Sequence, residues 1–241
     1  NYAAHAIEMG KDPDRDPPFF FTKPADAVVE DGQTIPYPPD TENFHFEAEL
    51  VAVIGTGGRD IAQADALDHV WGYAVGNDLT RRDLQLGARE KGRPWDWGKA
   101  FDRSAVIGPV HAASAVGHLA NGAIKLTVNG VVKQVADLDE LIWSVPEVVS
   151  IISRSIALHP GDLIMTGTPA GVGPVAVGDQ LHGQIDQPLG PVAVDLVGHL
   201  WPCAATRPGG KDHHVAALAD ARLQVGQIAV ARLGAIGQIR G

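Results

Sequence analysis

The sequence predicts an α+β, β-rich fold: a mixed β-sheet roll or barrel with a few short helices. Three observations carry that prediction. Alternating apolar residues from Ile124 to Val135 flank Asn129-Gly130, a dipeptide that accepts positive φ in a type I′ hairpin turn. Short strands at 162–165, 180–185 and 192–197 follow one another with Gly and Pro turns between them, a spacing that repeated βαβ units do not give. A strand at about 46–54 continues from Glu47 and Glu49 into Leu50-Val51-Ala52-Val53-Ile54, a run too apolar to face water.

In chain order, residues 1–43 are rich in Pro, Asp and Gly and read as loops around one apolar run, Pro18-Phe19-Phe20-Phe21, with little regular helix. After the 46–54 strand come a short helix from Asp60 to His69 and a strand at 71–78. Thr80 is placed to cap a helix that runs to about Lys91, with Asp83 as its capping-box partner and Gly92 at its end. Beyond the hairpin, Leu141, Val145, Val148, Val149, Ile152 and Ile156 recur at helical spacing, and Pro146 divides or kinks that helix. After Val197 the pattern breaks down. Residues 198–241 are expected to be an extension of uncertain order, with a marginal helix from about His214 to Leu223. The chain starts at Asn1 without a methionine, so its native start is expected to be missing or processed.

The composition limits the function classes. The chain has 241 residues, 45% hydrophobic and 20% charged, which is ordinary globular material with room for one large core. No apolar run approaches the roughly 20 residues that span a bilayer, and no signal segment opens the chain, so a cytoplasmic protein without membrane contact is expected. A net charge of −10 argues against nucleic acid as a partner. The single cysteine, Cys203, leaves Asp, Glu and His as the available metal ligands, which favours Mg²⁺, Ca²⁺ or Mn²⁺. Within this acidic chain Arg81, Arg82, Arg89, Lys91, Arg93, Lys99 and Arg103 cluster in one stretch. They suit a site for a small anion or, alternatively, an exposed helix of mixed charge.

Strand periodicity puts Glu47 and Glu49 on one face, where two anions repel unless water at a sheet edge or a cation relieves them. Asp78 ends an apolar strand where it meets a helix. It is a candidate third carboxylate, or an acid favoured by the helix dipole. Lys99 lies in a glycine and aromatic setting and could polarise a carbonyl. His5 and Glu8, three residues apart, could touch across one helical turn as a water-activating base and its orienting carboxylate. The stretch from Gly167 to Gly173 is a turn first and an anion pocket second. His213 and His214 read as a solvated pair.

Taken together, Asn1-Tyr2-Ala3-Ala4-His5 with Glu8, Lys23-Pro24, Glu47 and Glu49, Asn77-Asp78 with Arg82-Asp83-Leu84-Gln85, Lys99-Ala100-Phe101-Asp102 and Gly167-Thr168-Pro169 resemble the fumarylacetoacetate hydrolase family over about residues 1–197. The stretches at 18–27 and 92–96 are most similar to the branch that cleaves fumarylpyruvate. The resemblance implies the β-roll of that family's C-terminal domain as a catalytic domain over 1–197, with an upstream strand absent. It implies Mg²⁺ or Mn²⁺ on Glu47, Glu49 and Asp78, the His5–Glu8 dyad on a mobile lid, and Lys99 as the carbonyl-polarising lysine. Lys23, Arg82, Gln85 and Thr168 fall at substrate-binding positions. The implied activity is hydrolysis of the carbon–carbon bond of an acylpyruvate, a small anionic 2,4-dioxo acid, by a homodimer. The alternatives are an oxaloacetate-like 2-oxo acid decarboxylase or keto–enol isomerase, and a non-catalytic β-rich binding protein. Arg103 stands where many relatives have threonine and is expected to alter substrate contacts or their support.

Overall fold

The computed structural model describes residues 1–10, 17–186, 192–197 and 226–232, the last two stretches as backbone strands. The expected helix near 214–223 and the His213-His214 pair lie outside these residues. The fold is α+β and β-rich, a mixed roll built from three sheets. The largest has eight strands, ordered Phe20–Lys23, Gly226–Arg232, Asp162–Met165, Ala48–Ile54, Val70–Asp78, Ala105–Ile107 and Val28–Glu30, with His111–Ala112 also pairing Val70–Asp78. Its outer pairs are parallel and its inner pairs antiparallel. A five-stranded sheet runs Val131–Asp137, Ala123–Val128, Gln180–Ile185, Val192–Val197, Gln33–Pro36, and a small third sheet joins Gly173–Pro174, Phe44–Phe46 and Thr80–Arg81.

The apolar continuation after Glu49 has a direct cause. Every residue of Ala48–Ile54 is buried because both faces of this strand are covered. Leu50, Ala52 and Ile54 pack into the main core with Tyr73, Val75, Leu126 and Val149, while Val51 and Val53 pack on the other side with Ala74, Leu163 and Met165. The hairpin is as expected: Asn129 and Gly130 have φ of +50° and +78°, the two positive values that a type I′ turn needs.

Four expectations need correction. The N-terminal region is not mainly loop: Ala3–Glu8 is helical, and Phe20–Lys23, Val28–Glu30 and Gln33–Pro36 are strands. These short strands are recruited by pairing with distant partners, a long-range cause that local composition does not carry. Thr80 does not cap the next helix, which is Arg82–Glu90. It pairs with His45, its hydroxyl donates to the Asp78 carbonyl, and Asp83 accepts from Thr41 and the Glu42 amide. Pro146 does not kink a helix. It lies in the first turn of Val145–Ser155, where no amide donor is required, and Glu147 accepts from the Ser144 amide at 2.9 Å. Finally, a strand from beyond Val197, Gly226–Arg232, lies inside the large sheet. Among the described residues no helix is long and apolar enough to cross a membrane.

Candidate active site

The register between two central strands assembles the carboxylates. Glu49 pairs with Gly76, so it shares a face with Asp78 two residues on, and the Asp78 amide donates to the Glu47 carbonyl at 2.8 Å to continue the ladder. Glu47, Glu49 and Asp78 are all buried, and one oxygen from each lies within 4.8 Å of the others. Their solvent-facing alternatives, and with them the premise of a non-catalytic binding protein, are therefore excluded. Asn77 supports the cluster from the adjacent face by accepting the Glu47 amide at 2.9 Å.

Three buried cations meet these anions. Lys99 ends the short helix Asp96–Lys99 and donates to Glu47 at 2.8 Å, Asp78 at 2.7 Å and the Thr80 hydroxyl at 2.7 Å. Arg82, in the first turn of its helix, donates to Glu47 and to Gln85, which is itself buried. Lys23 donates to the Lys99 carbonyl, and its ammonium lies 2.7 Å from Asp78 Oδ1. Of the expected basic cluster, only Arg81, Arg82 and Lys99 are buried, and Arg103 is exposed, donating to the Thr34 carbonyl at 3.3 Å.

The carboxylates are not electrically alike. Burial alone would raise the Glu47 carboxyl, but Lys99 and Arg82 outweigh it and hold that group below the ordinary carboxylate range. Glu49 forms no direct ion pair among the described residues, and the Lys99 charge that lowers it is outweighed. Burial, then the charges of Asp78 and Glu47, push it well above that range, against the Gly167 amide that donates to it at 2.6 Å. Burial likewise lowers Lys23, although Asp78 opposes the effect. An all-oxygen set of three buried carboxylates, of which Glu49 forms no ion pair among the described residues, fits a hard divalent cation such as Mg²⁺ or Mn²⁺.

His5 and Glu8 do meet. His5 Nδ1 lies 2.9 Å from a Glu8 oxygen, so with Glu8 ionised Nδ1 carries the proton and Nε2 is the free base. Burial lowers the imidazole pKa, opposed by the charges of Glu47 and Glu8, which places this pair within electrostatic reach of the carboxylate cluster. The Ala3–Glu8 helix is fastened at both ends. The Asn1 side chain donates to the Trp143 and Thr166 carbonyls at 2.8 Å, and Glu8 accepts the Gly171 amide at 3.2 Å. Thr168 is buried in the same 167–173 turn. Sequence reasoning missed Gln134, which donates to the Thr168 hydroxyl. The signal was available, because a glutamine interrupts an otherwise valine-rich strand.

Comparison with known proteins identifies the family. The family model described as fumarylacetoacetate hydrolase C-terminal matches residues 1–240. A fumarylpyruvate hydrolase of Ralstonia is 47% identical over 168 residues, 70% of this chain and 87% of that protein. A mitochondrial oxaloacetate tautomerase of Arabidopsis thaliana is 39% identical over 185 residues, covering 77% and 82% of the two chains. Among solved structures, the fumarylpyruvate hydrolase of Pseudomonas aeruginosa in complex with Mn²⁺ and pyruvate superposes with a TM-score of 0.80 at 59% identity, over 83% of this chain and 87% of that one.

Proposed function

The chain belongs to the fumarylacetoacetate hydrolase family, and from that premise we propose that it is a metal-dependent acylpyruvate hydrolase that converts fumarylpyruvate to fumarate and pyruvate. The observation that best supports the reading is the hydrogen-bonded His5–Glu8 pair, near enough for the Glu47 charge to act on the imidazole, together with three buried carboxylates that could hold a cation. Charge supports it too. Lys23, Lys99 and Arg82 balance Glu47, Glu49 and Asp78, so a divalent ion adds two positive charges that an anionic 2,4-dioxo acid can neutralise.

Bound at Glu47, Glu49 and Asp78, Mg²⁺ or Mn²⁺ would supply Lewis-acid polarisation of the 2-oxo acid end of the substrate. His5 Nε2 takes a proton from water, with Glu8 holding the ring and stabilising the imidazolium. The hydroxide equivalent adds to the carbonyl carbon on the fumaryl side. The bond from that carbon to the methylene then breaks, fumarate keeps the new oxygen, and the electron pair departs as the pyruvate enolate, which is protonated to pyruvate. Lys99 lends positive charge where the enolate oxygen develops. Arg82, Gln85 and Thr168 bind the substrate, and Lys23 pairs with Asp78 beneath it.

Keto–enol isomerisation or decarboxylation of oxaloacetate is the second reading, favoured by the tautomerase relative and compatible with the same carboxylates. Product analysis separates them. Fumarate and pyruvate released in equal amounts from fumarylpyruvate support hydrolysis, whereas oxaloacetate turnover with no fumarylpyruvate cleavage refutes it. We also propose a homodimer in the cytoplasm. The exposed valines Val131, Val132 and Val135 on a sheet edge support the first, and the single cysteine supports a reducing compartment.

A further inference from the structure

The strand Val131–Asp137 inverts the usual binary pattern. Val131, Val132 and Val135 are exposed, while Gln134 is fully buried. Such a local conflict marks a position chosen for something other than packing. The cause is a bulge: Leu126 pairs with Gln134 but Thr127 pairs with Val132, so Lys133 is an extra residue that re-aims its neighbour inward. The bulge docks on the 167–173 turn. Gly171, at φ +95°, lies so close to the Lys133 carbonyl that a Cβ there would overlap its oxygen.

Both ends of the Gln134 amide are committed. Its oxygen accepts the Ala48 amide at 2.9 Å, and its nitrogen donates to Thr168 Oγ1 and to the Pro169 carbonyl, each at 2.8 Å. Its orientation is unambiguous, because a backbone amide only donates and a backbone carbonyl only accepts. Ala48 is the residue between Glu47 and Glu49. Thr168 has one hydroxyl proton, and since its oxygen accepts from Gln134, that proton is left to point at another acceptor.

We propose that Gln134 is a positioning residue: it sets the Thr168 hydroxyl as a donor toward a carboxylate or carbonyl oxygen of the 2-oxo acid while holding the peptide between Glu47 and Glu49. The inference rests on the proposed reading of Thr168 as a substrate contact. It explains why a glutamine occupies the buried position, since leucine would leave the Ala48 amide unpaired and glutamate would draw the Thr168 proton to itself.

The test uses the full chain with saturating Mn²⁺ and fumarylpyruvate. Gln134→Glu keeps an acceptor for Ala48 but removes the donor. It should raise KM about tenfold while changing kcat less than about threefold, the loss of one hydrogen bond to a charged group. Thr168→Val should raise KM to the same degree, and the double variant should be no worse than either single one. Mn²⁺ affinity, measured by calorimetry without substrate, should stay within about threefold in Gln134→Glu. Multiplying KM effects in the double variant, or an unchanged KM in Thr168→Val, overturns the inference, and the second result does so even where Gln134→Glu does not fold. A wild-type protein inert toward fumarylpyruvate but binding pyruvate would refute the proposed reaction alone, and the same comparison is then read in the pyruvate Kd.

Discussion

At the scale of single residues, the site is a balance of buried charges in which Glu49 is the carboxylate left without a cation. Replacing it by glutamine keeps an acceptor for Gly167 and removes the carboxyl whose ionisation burial and the neighbouring Asp78 and Glu47 oppose. Glu49→Gln should therefore melt at a higher temperature than the metal-free wild type, yet lose the stabilisation that Mn²⁺ gives the wild type, about 2.7 kcal/mol when the ion is present at roughly a hundred times its Kd. Paired thermal melts with and without Mn²⁺ read both effects. His5 predicts the opposite dissociation of properties: His5→Ala should reduce kcat by roughly 10²- to 10⁴-fold and leave Mn²⁺ affinity intact. Burial lowers the His5 pKa, so the neutral base persists below the pH at which a free imidazole charges. The acid limb of the kcat profile should then lie under pH of about 6.5. An acid limb above that value would contradict the assignment.

At the scale of elements, legibility followed how local the cause was. Asn129-Gly130 announced its hairpin because the turn demands two positive φ values from neighbours in sequence. Glu47, Glu49 and Asp78 were legible as candidates because strand period and a strand end are local features, but their convergence needed the pairing of Glu49 with Gly76. The partners of Lys23 were not legible. Its ion pair with Asp78 spans 55 positions, and nothing near Lys23 in sequence signals it. Pro146 misled for a different reason: the signal was local, since Ser144 and Glu147 form a capping box that starts the helix around the proline, and the longer run of apolar spacing from Leu141 obscured it. The docking of turn on bulge gives an element-scale prediction. Gly171→Ala forces the 167–173 turn off the Lys133 carbonyl and also strains a left-handed backbone, so it should lower stability by about 1 kcal/mol or more and raise KM through Thr168. Denaturant melts and steady-state kinetics measure the two losses.

At the scale of the whole molecule, the two central strands act as a rigid floor whose ends carry the carboxylates; one earlier strand brings Lys23, and three later segments bring Arg82, Lys99 and the 167–173 turn to meet them. The helix bearing His5 and Glu8 is tied to that floor by a few contacts, through Asn1, Glu8 and the Arg89 bond to the Met9 carbonyl at 3.3 Å. The exposed valines of the hairpin edge would be covered in a homodimer, so Val135→Asp should shift the sedimentation coefficient toward that of a monomer. The central claim is metal-dependent hydrolysis, and one measurement tests it most directly: fumarylpyruvate consumption, with fumarate and pyruvate quantified, before chelation, after chelation and after return of Mn²⁺. A metal-dependent hydrolase gives equimolar products, loses turnover on chelation and recovers it with the ion. Turnover that survives complete removal of the metal, or consumption without fumarate, would contradict that claim.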